Sequence, residues 1–167
     1  DQVLPVTVPP DASVTQVRDA AQVWLKKQAK RLFEERLHHF APLLGVRWQK
    51  LSLSSASTRW GSARNDGHIR LNWRLIHFKP EVIDYVVVHE LSHLQVMNHS
   101  PAFWEVVRSV VPDYEQHRGV LAATLGVPSS AGDFLAGLGL PVMLHPRPFS
   151  RRYGARIGIA LAVLVAV

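Results

Sequence analysis

The sequence predicts an α+β fold with a small sheet, a long N-terminal helix and a largely apolar helix carrying the pattern His-Glu-x-x-His. Three observations lead there. Residues 13–44 repeat apolar side chains at helical spacing. Residues 46–54 and 68–72 read as strands near an Asn65-Asp66-Gly67 turn signal. His89-Glu90-Leu91-Ser92-His93 lies in an apolar stretch, and His99 follows six residues after His93.

In chain order, Pro9-Pro10-Asp11 reads as an irregular lead, and Ser13 is placed to cap a helix that ends near Leu44-Gly45. Its apolar stripe is Val17, Ala21, Trp24, Leu32, Phe33, Leu37, Phe40 and Leu44, which assigns it to the core. The interleaved Lys26, Lys27, Lys30, Arg31 and Arg36 are assigned to a solvated face. Val46 to Ser54 alternates as a strand, and the Asn65-Asp66-Gly67 turn leads into a second strand, His68 to Asn72. Pro80 starts the helix that carries the histidines, expected over 80–97. Short helices follow at Pro101 to Val110 and Asp113 to Leu125, with Gly126 as the stop.

On such a helix His89 and His93 share a face, with about 6 Å between their Cβ atoms, so both can hold one ion. Glu90 falls about 100° around the helix, the place of a general base acting on water. Nine histidines make the motif alone weak evidence, and a third histidine in register makes it specific. The buried flanks Ile83 to Val88, Leu91 and Leu94 add a physical reason, because imidazoles and a carboxylate are costly to bury without a partner.

On an unbroken helix His99 would lie about 240° from His93 and face away. The helix must therefore end first: Asn98 suits a helix end, and Ser100-Pro101 reads as a cap and first-turn proline of the next helix. His99 then swings back as third ligand, leaving one position open for water. Glu115 on a downstream helix is the alternative third ligand. The ion expected is zinc, one per chain.

A chain of 167 residues buries about 70 per cent of its unfolded surface, enough for a conventional core. Zero cysteines exclude disulfides and thiolate ligands, leaving histidine and carboxylate. They also fit a reducing compartment. No N-terminal stretch joins basic residues to a long apolar run, so a cytoplasmic location is expected.

Residues 1–126 are expected to form one domain. From 127 to 167 the composition shifts to Gly, Pro, Leu, Ala and Arg, which reads as a basic and apolar tail. Ile157 to Val167 is too short to span a bilayer, which takes about 20 residues. Nothing in the composition fixes an oligomeric state.

Four blocks resemble the YgjP-like metal-dependent hydrolases, relatives of the SprT-like and Wss1-like zinc metallopeptidases. They are Ser57-Thr58-Arg59-Trp60-Gly61-Ser62, Gly67-His68-Ile69-Arg70-Leu71-Asn72, Ile83 to Leu94, and Asn98 to Trp104. The resemblance covers roughly residues 14 to 126 and implies a zincin-like fold. It also implies His89, His93 and His99 as ligands and Glu90 as the catalytic carboxylate. Ala63 stands where the family usually has cysteine, and the family's N-terminal strands are expected to be shortened here.

Three functions stay open on the sequence. A peptide or protein substrate could pair with the strand Ile69 to Asn72 beside the ion, with Asn72 and Arg59 touching it. A nucleoside triphosphate or another anionic partner could use the Arg59 to Lys79 segment, where Arg59, Arg64, Arg70, Arg74 and Lys79 outnumber Asp66. A noncatalytic module would use the ion structurally, but such a site normally has four ligands. Hydrolysis of a peptide is the leading reading, with Glu90 taking a proton from water acidified by the ion.

Overall fold

The computed structural model describes residues 7–124. The expected helix stop at Gly126 and the tail at 127–167 lie outside them. One compact unit runs from Lys26 to Gly126. Of the described residues before it, 14–25 form the start of the first helix.

Helix α1 spans Val14–Leu44. At its start the Ser13 amide donates to Gln16 Oε1 (2.8 Å) and the Gln16 amide to Ser13 Oγ (3.2 Å), a reciprocal capping box. Its end is equally local. Gly45 takes φ +65°, its amide reaches Pro42 O, and the Val46 amide reaches back to Ala41 O. Ala29, Phe33, Leu37, Phe40, Ala41 and Leu44 are buried. Arg36 departs from the solvated face expected for it. Its guanidinium forks onto Asp84 (Nε–Oδ1 2.6 Å, Nη2–Oδ2 2.8 Å) and ties α1 to the histidine-bearing helix.

Three strands follow: β1, Lys50–Ser54, β2, Gly61–Ala63, and β3, His68–Asn72. The first is shorter than the Val46 to Ser54 expected, because Val46 closes the preceding helix and Trp48 packs against His38. Their order is β1-β3-β2, with β1 parallel and β2 antiparallel to β3. Gly67, at φ +80°, makes the turn from β2 to β3. β3 is therefore central, with Ile69 and Leu71 fully buried. A chain could not pair with it as the sequence suggested, since both its edges are taken; β1 and β2 carry the outer edges of the sheet.

A 3₁₀ turn not foreseen from sequence covers Trp73–His77. Asn72 caps it, accepting from the Arg74 amide at 3.1 Å. Helix α2, Pro80–Ser92, then crosses the core and buries nearly every side chain from Val82 to Val88. It ends earlier than the expected 97. Past His93 the amides of Leu94 and Gln95 tighten to three-residue bonds onto Leu91 and Ser92, and the Gln95 side chain bonds Leu44 O. Helices α3, Pro101–Val110, and α4, Tyr114–Thr124, pack on α2. No helix among the described residues is long and apolar enough to cross a membrane. The fold is α+β and zincin-like, with β2, α2, α3 and α4 meeting at one place.

Candidate metal centre

Because α2 stays helical as far as His93, the His93 amide still bonds His89 O, and the two imidazoles rise from one face with centroids 5.0 Å apart. The segment after the helix turns back, and Ser100-Pro101 starts α3 as expected. His99 is thereby delivered to the same point, with centroids 5.0 Å from His89 and 4.7 Å from His93. One nitrogen of each ring lies within 4.8 Å of the others. Glu115 is outside this group and accepts a hydrogen bond from Tyr114 Oη at 3.3 Å.

The rings are held by contacts that sequence reading missed. The first turn of α3 slides Phe103 under all three. It stacks on His93 at 4.5 Å and meets His89 and His99 edge-on at 4.9 Å each. Trp104 stacks on His99 at 5.6 Å, and Tyr114 stacks on Trp104 at 5.0 Å. His93 Nδ1 lies 3.2 Å from Val96 O, so it carries the proton there and leaves Nε2 free to ligate. His89 Nδ1 is buried without such a partner among the described residues, and that ring is positioned by Phe103 and Tyr85 instead.

The electrostatics favour a cation-binding state. Burial, reinforced by His93, His99 and Arg118, pushes the His89 pKa down to about 3, and burial also lowers that of His93. Both rings are thus neutral, with lone pairs available. The Nε2 atoms of His89 and His99 face each other at 3.1 Å. A donor set of three imidazoles converging on one point fits a zinc ion with an open fourth position.

Glu90 is 5% exposed, and burial raises its pKa to about 8 against the pull of Arg59. Its carboxylate lies against β2 at Gly61. A Cβ there would stand 2.7 Å from Glu90 Cδ, so only glycine permits this approach. Glu90, His89 and His99 border a cavity of about 600 Å³ with Arg59, Trp60, Tyr85, Trp104 and Arg118. This is within the size range of ligand pockets.

The remaining expected residues separate. Arg59 lines the cavity. Asn72 is 2% exposed, and its amide donates to Ala56 O (2.8 Å) and Arg59 O (3.3 Å), which fixes the loop carrying Arg59. The basic segment is dispersed: Arg64 pairs with Asp66, Arg70 reaches Ser52, Arg74 is buried on Ser55 O, and Lys79 stands at the N-cap position of α2 without a side-chain capping bond. Of its five cations only Arg59 borders the cavity. Arg118, which the sequence did not single out, supplies the other guanidinium. Its position on α4 gains meaning only once α4 packs on α2.

Two solved structures are similar. The metallopeptidase zymogen abylysin of Pyrococcus abyssi matches at 23% identity and a TM-score of 0.51, over 56% of this chain and 94% of that one. The metallopeptidase zymogen jannalysin of Methanocaldococcus jannaschii matches at 17% identity and a TM-score of 0.49, over 56% and 96%. No curated protein matches the chain. The profile of the family described as "YgjP-like, metallopeptidase domain" matches residues 2–124, and with that span of the sequence the chain belongs to the YgjP-like metallopeptidase family.

Proposed function

We propose that this protein is a zinc-dependent metallopeptidase in which His89, His93 and His99 hold one zinc ion and Glu90 is the general base. The observation that carries the reading is the convergence of three imidazole nitrogens within 4.8 Å, with the Glu90 carboxylate on the wall of the same cavity. When bound, zinc would supply Lewis acidity toward water and toward the carbonyl of the bond to be cut.

The chain's own groups account for the rest. Glu90, made more basic by burial, takes a proton from the attacking water and delivers it to the departing amine nitrogen. Gly61 leaves room for that carboxylate, and the outer edge of β2 offers backbone groups to an extended peptide. Phe103 and Trp104 keep the imidazoles from rotating, and Asn72 holds the Arg59 loop at the rim. Residues 1–126 serve as the catalytic domain and 127–167 as a tail outside it; the family match, ending at 124, supports this division. A cytoplasmic setting belongs to the same reading, on the cysteine-free composition.

The nucleotide reading loses its basis when only one of the five cations that suggested it, Arg59, borders the cavity. The test is hydrolysis of an unfolded protein and, separately, of a panel of nucleoside triphosphates, with Glu90→Gln as the blank. Proteolysis that disappears in Glu90→Gln supports the proposal. Glu90-dependent release of pyrophosphate without proteolysis would overturn it.

A further inference from the structure

Two guanidinium groups border the cavity, and neither has a carboxylate within ion-pair distance among the described residues. Other arginines are neutralised, as Arg36 is by Asp84, Arg64 by Asp66 and Arg108 by Glu105. Arg118 is also oriented. Its Cζ lies 5.2 Å from the centroid of Trp104, which also stacks on His99 and Tyr114, so the charge rides on a stack that includes a candidate ligand. The two cations thus line the same cavity as His89, Glu90 and His99. Among the described residues Glu90 is the one carboxylate bordering the cavity, and it is buried.

We propose that Arg59 and Arg118 read a carboxylate on the peptide substrate, either an Asp or Glu side chain or the free C-terminus, close to the bond that is cut. The inference rests on the peptidase reading above. A planar guanidinium matches a carboxylate with two parallel hydrogen bonds, and two unneutralised ones in a cavity walled by Trp60, Tyr85 and Leu121 would be costly to face with an apolar side chain. Unlike Glu90, neither arginine takes part in the proton transfers. Their work is selection.

The test uses the full chain with Glu90→Gln, zinc-loaded, and fluorescence anisotropy on four labelled, unstructured Ala-Ser peptides. These carry a central Glu or Gln, each with a free or an amidated C-terminus. The proposal expects a peptide retaining the recognised carboxylate to bind about tenfold tighter than its amide at low salt, shrinking as salt rises. Comparing the Glu pair with the C-terminal pair tells which source is read. Arg118→Gln should reduce the ratio to within about twofold, and Arg118→Lys should restore part of it; the ratio should persist in metal-free protein, since the zinc is not the reader. Equal binding of all four peptides overturns the proposal, as does a ratio untouched by both Arg118→Gln and Arg59→Gln. Loss of the ratio on removing zinc would assign the carboxylate to the metal and also overturn it. Wild-type protein that cuts none of the four sinks the peptidase reading, while the binding ratio still decides the arginine pair.

Discussion

At the scale of single residues, the centre depends on which atoms touch. His99 sits against His89 and Glu115 does not, so His99→Ala should release zinc to a chelator far more readily than Glu115→Ala. Competition with a chromogenic chelator measures this; the reverse order would transfer the third ligand to Glu115. Gly61 gives a sharper case. Adding one methyl group drives a Cβ into the Glu90 carboxylate, so Gly61→Ala should retain metal and lose kcat by about a hundredfold, the scale expected from misplacing a base by about 1 Å. An unchanged kcat would mean that the Glu90 position has slack. The histidine pair and Glu90 were legible in the sequence because four-residue spacing on a helix is a local property. The Gly61 requirement was not, since Gly61 and Glu90 meet only through the packing of β2 on α2.

At the scale of elements, ends were easier to read than neighbours. Ser13 and Gly45 bounded α1 correctly because capping bonds join residues at most five apart. The end of α2 was misjudged, since the Gln95 contact with Leu44 is long-range and carries no local signal. Strand order was likewise invisible: a parallel β1-β3 pair with β2 outside depends on non-local pairing. The Arg36–Asp84 fork joins α1 to α2 with its side chains about one-quarter exposed, so Asp84→Asn should destabilise by about 1–3 kcal/mol. Thermal unfolding checks it, and a double-mutant cycle with Arg36→Ala should show coupling; additive losses would reduce the fork to a surface pair. In the 3₁₀ turn, burial and then Arg74 lower the His77 pKa from 6.5 to about 4. The unfolded chain therefore binds a proton first as pH falls. Stability from a neutral His77 is complete above about pH 6.5 and is lost progressively toward pH 4. Metal-free wild type should accordingly lose more stability across that window than His77→Gln, and parallel curves would contradict the assignment.

At the scale of the whole molecule, one helix organises the centre: α2 buries its apolar side, presents Glu90 to β2, and offers His89 and His93 to the segment that brings His99 back. The aromatic floor from α3 and the Arg118 from α4 complete a cavity whose chemistry no single segment contains. That is why the reaction class could be read from one motif, while the cavity's selectivity needed the fold. The central claim is that the three histidines form a zinc site. Elemental analysis of the purified protein tests it most directly, comparing wild type with His89→Ala after dialysis against a weak chelator, with folding verified by circular dichroism. The account predicts one zinc per wild-type chain and a large loss in the folded variant. Equal metal content in the two proteins, or none in the wild type after incubation with zinc, would contradict it.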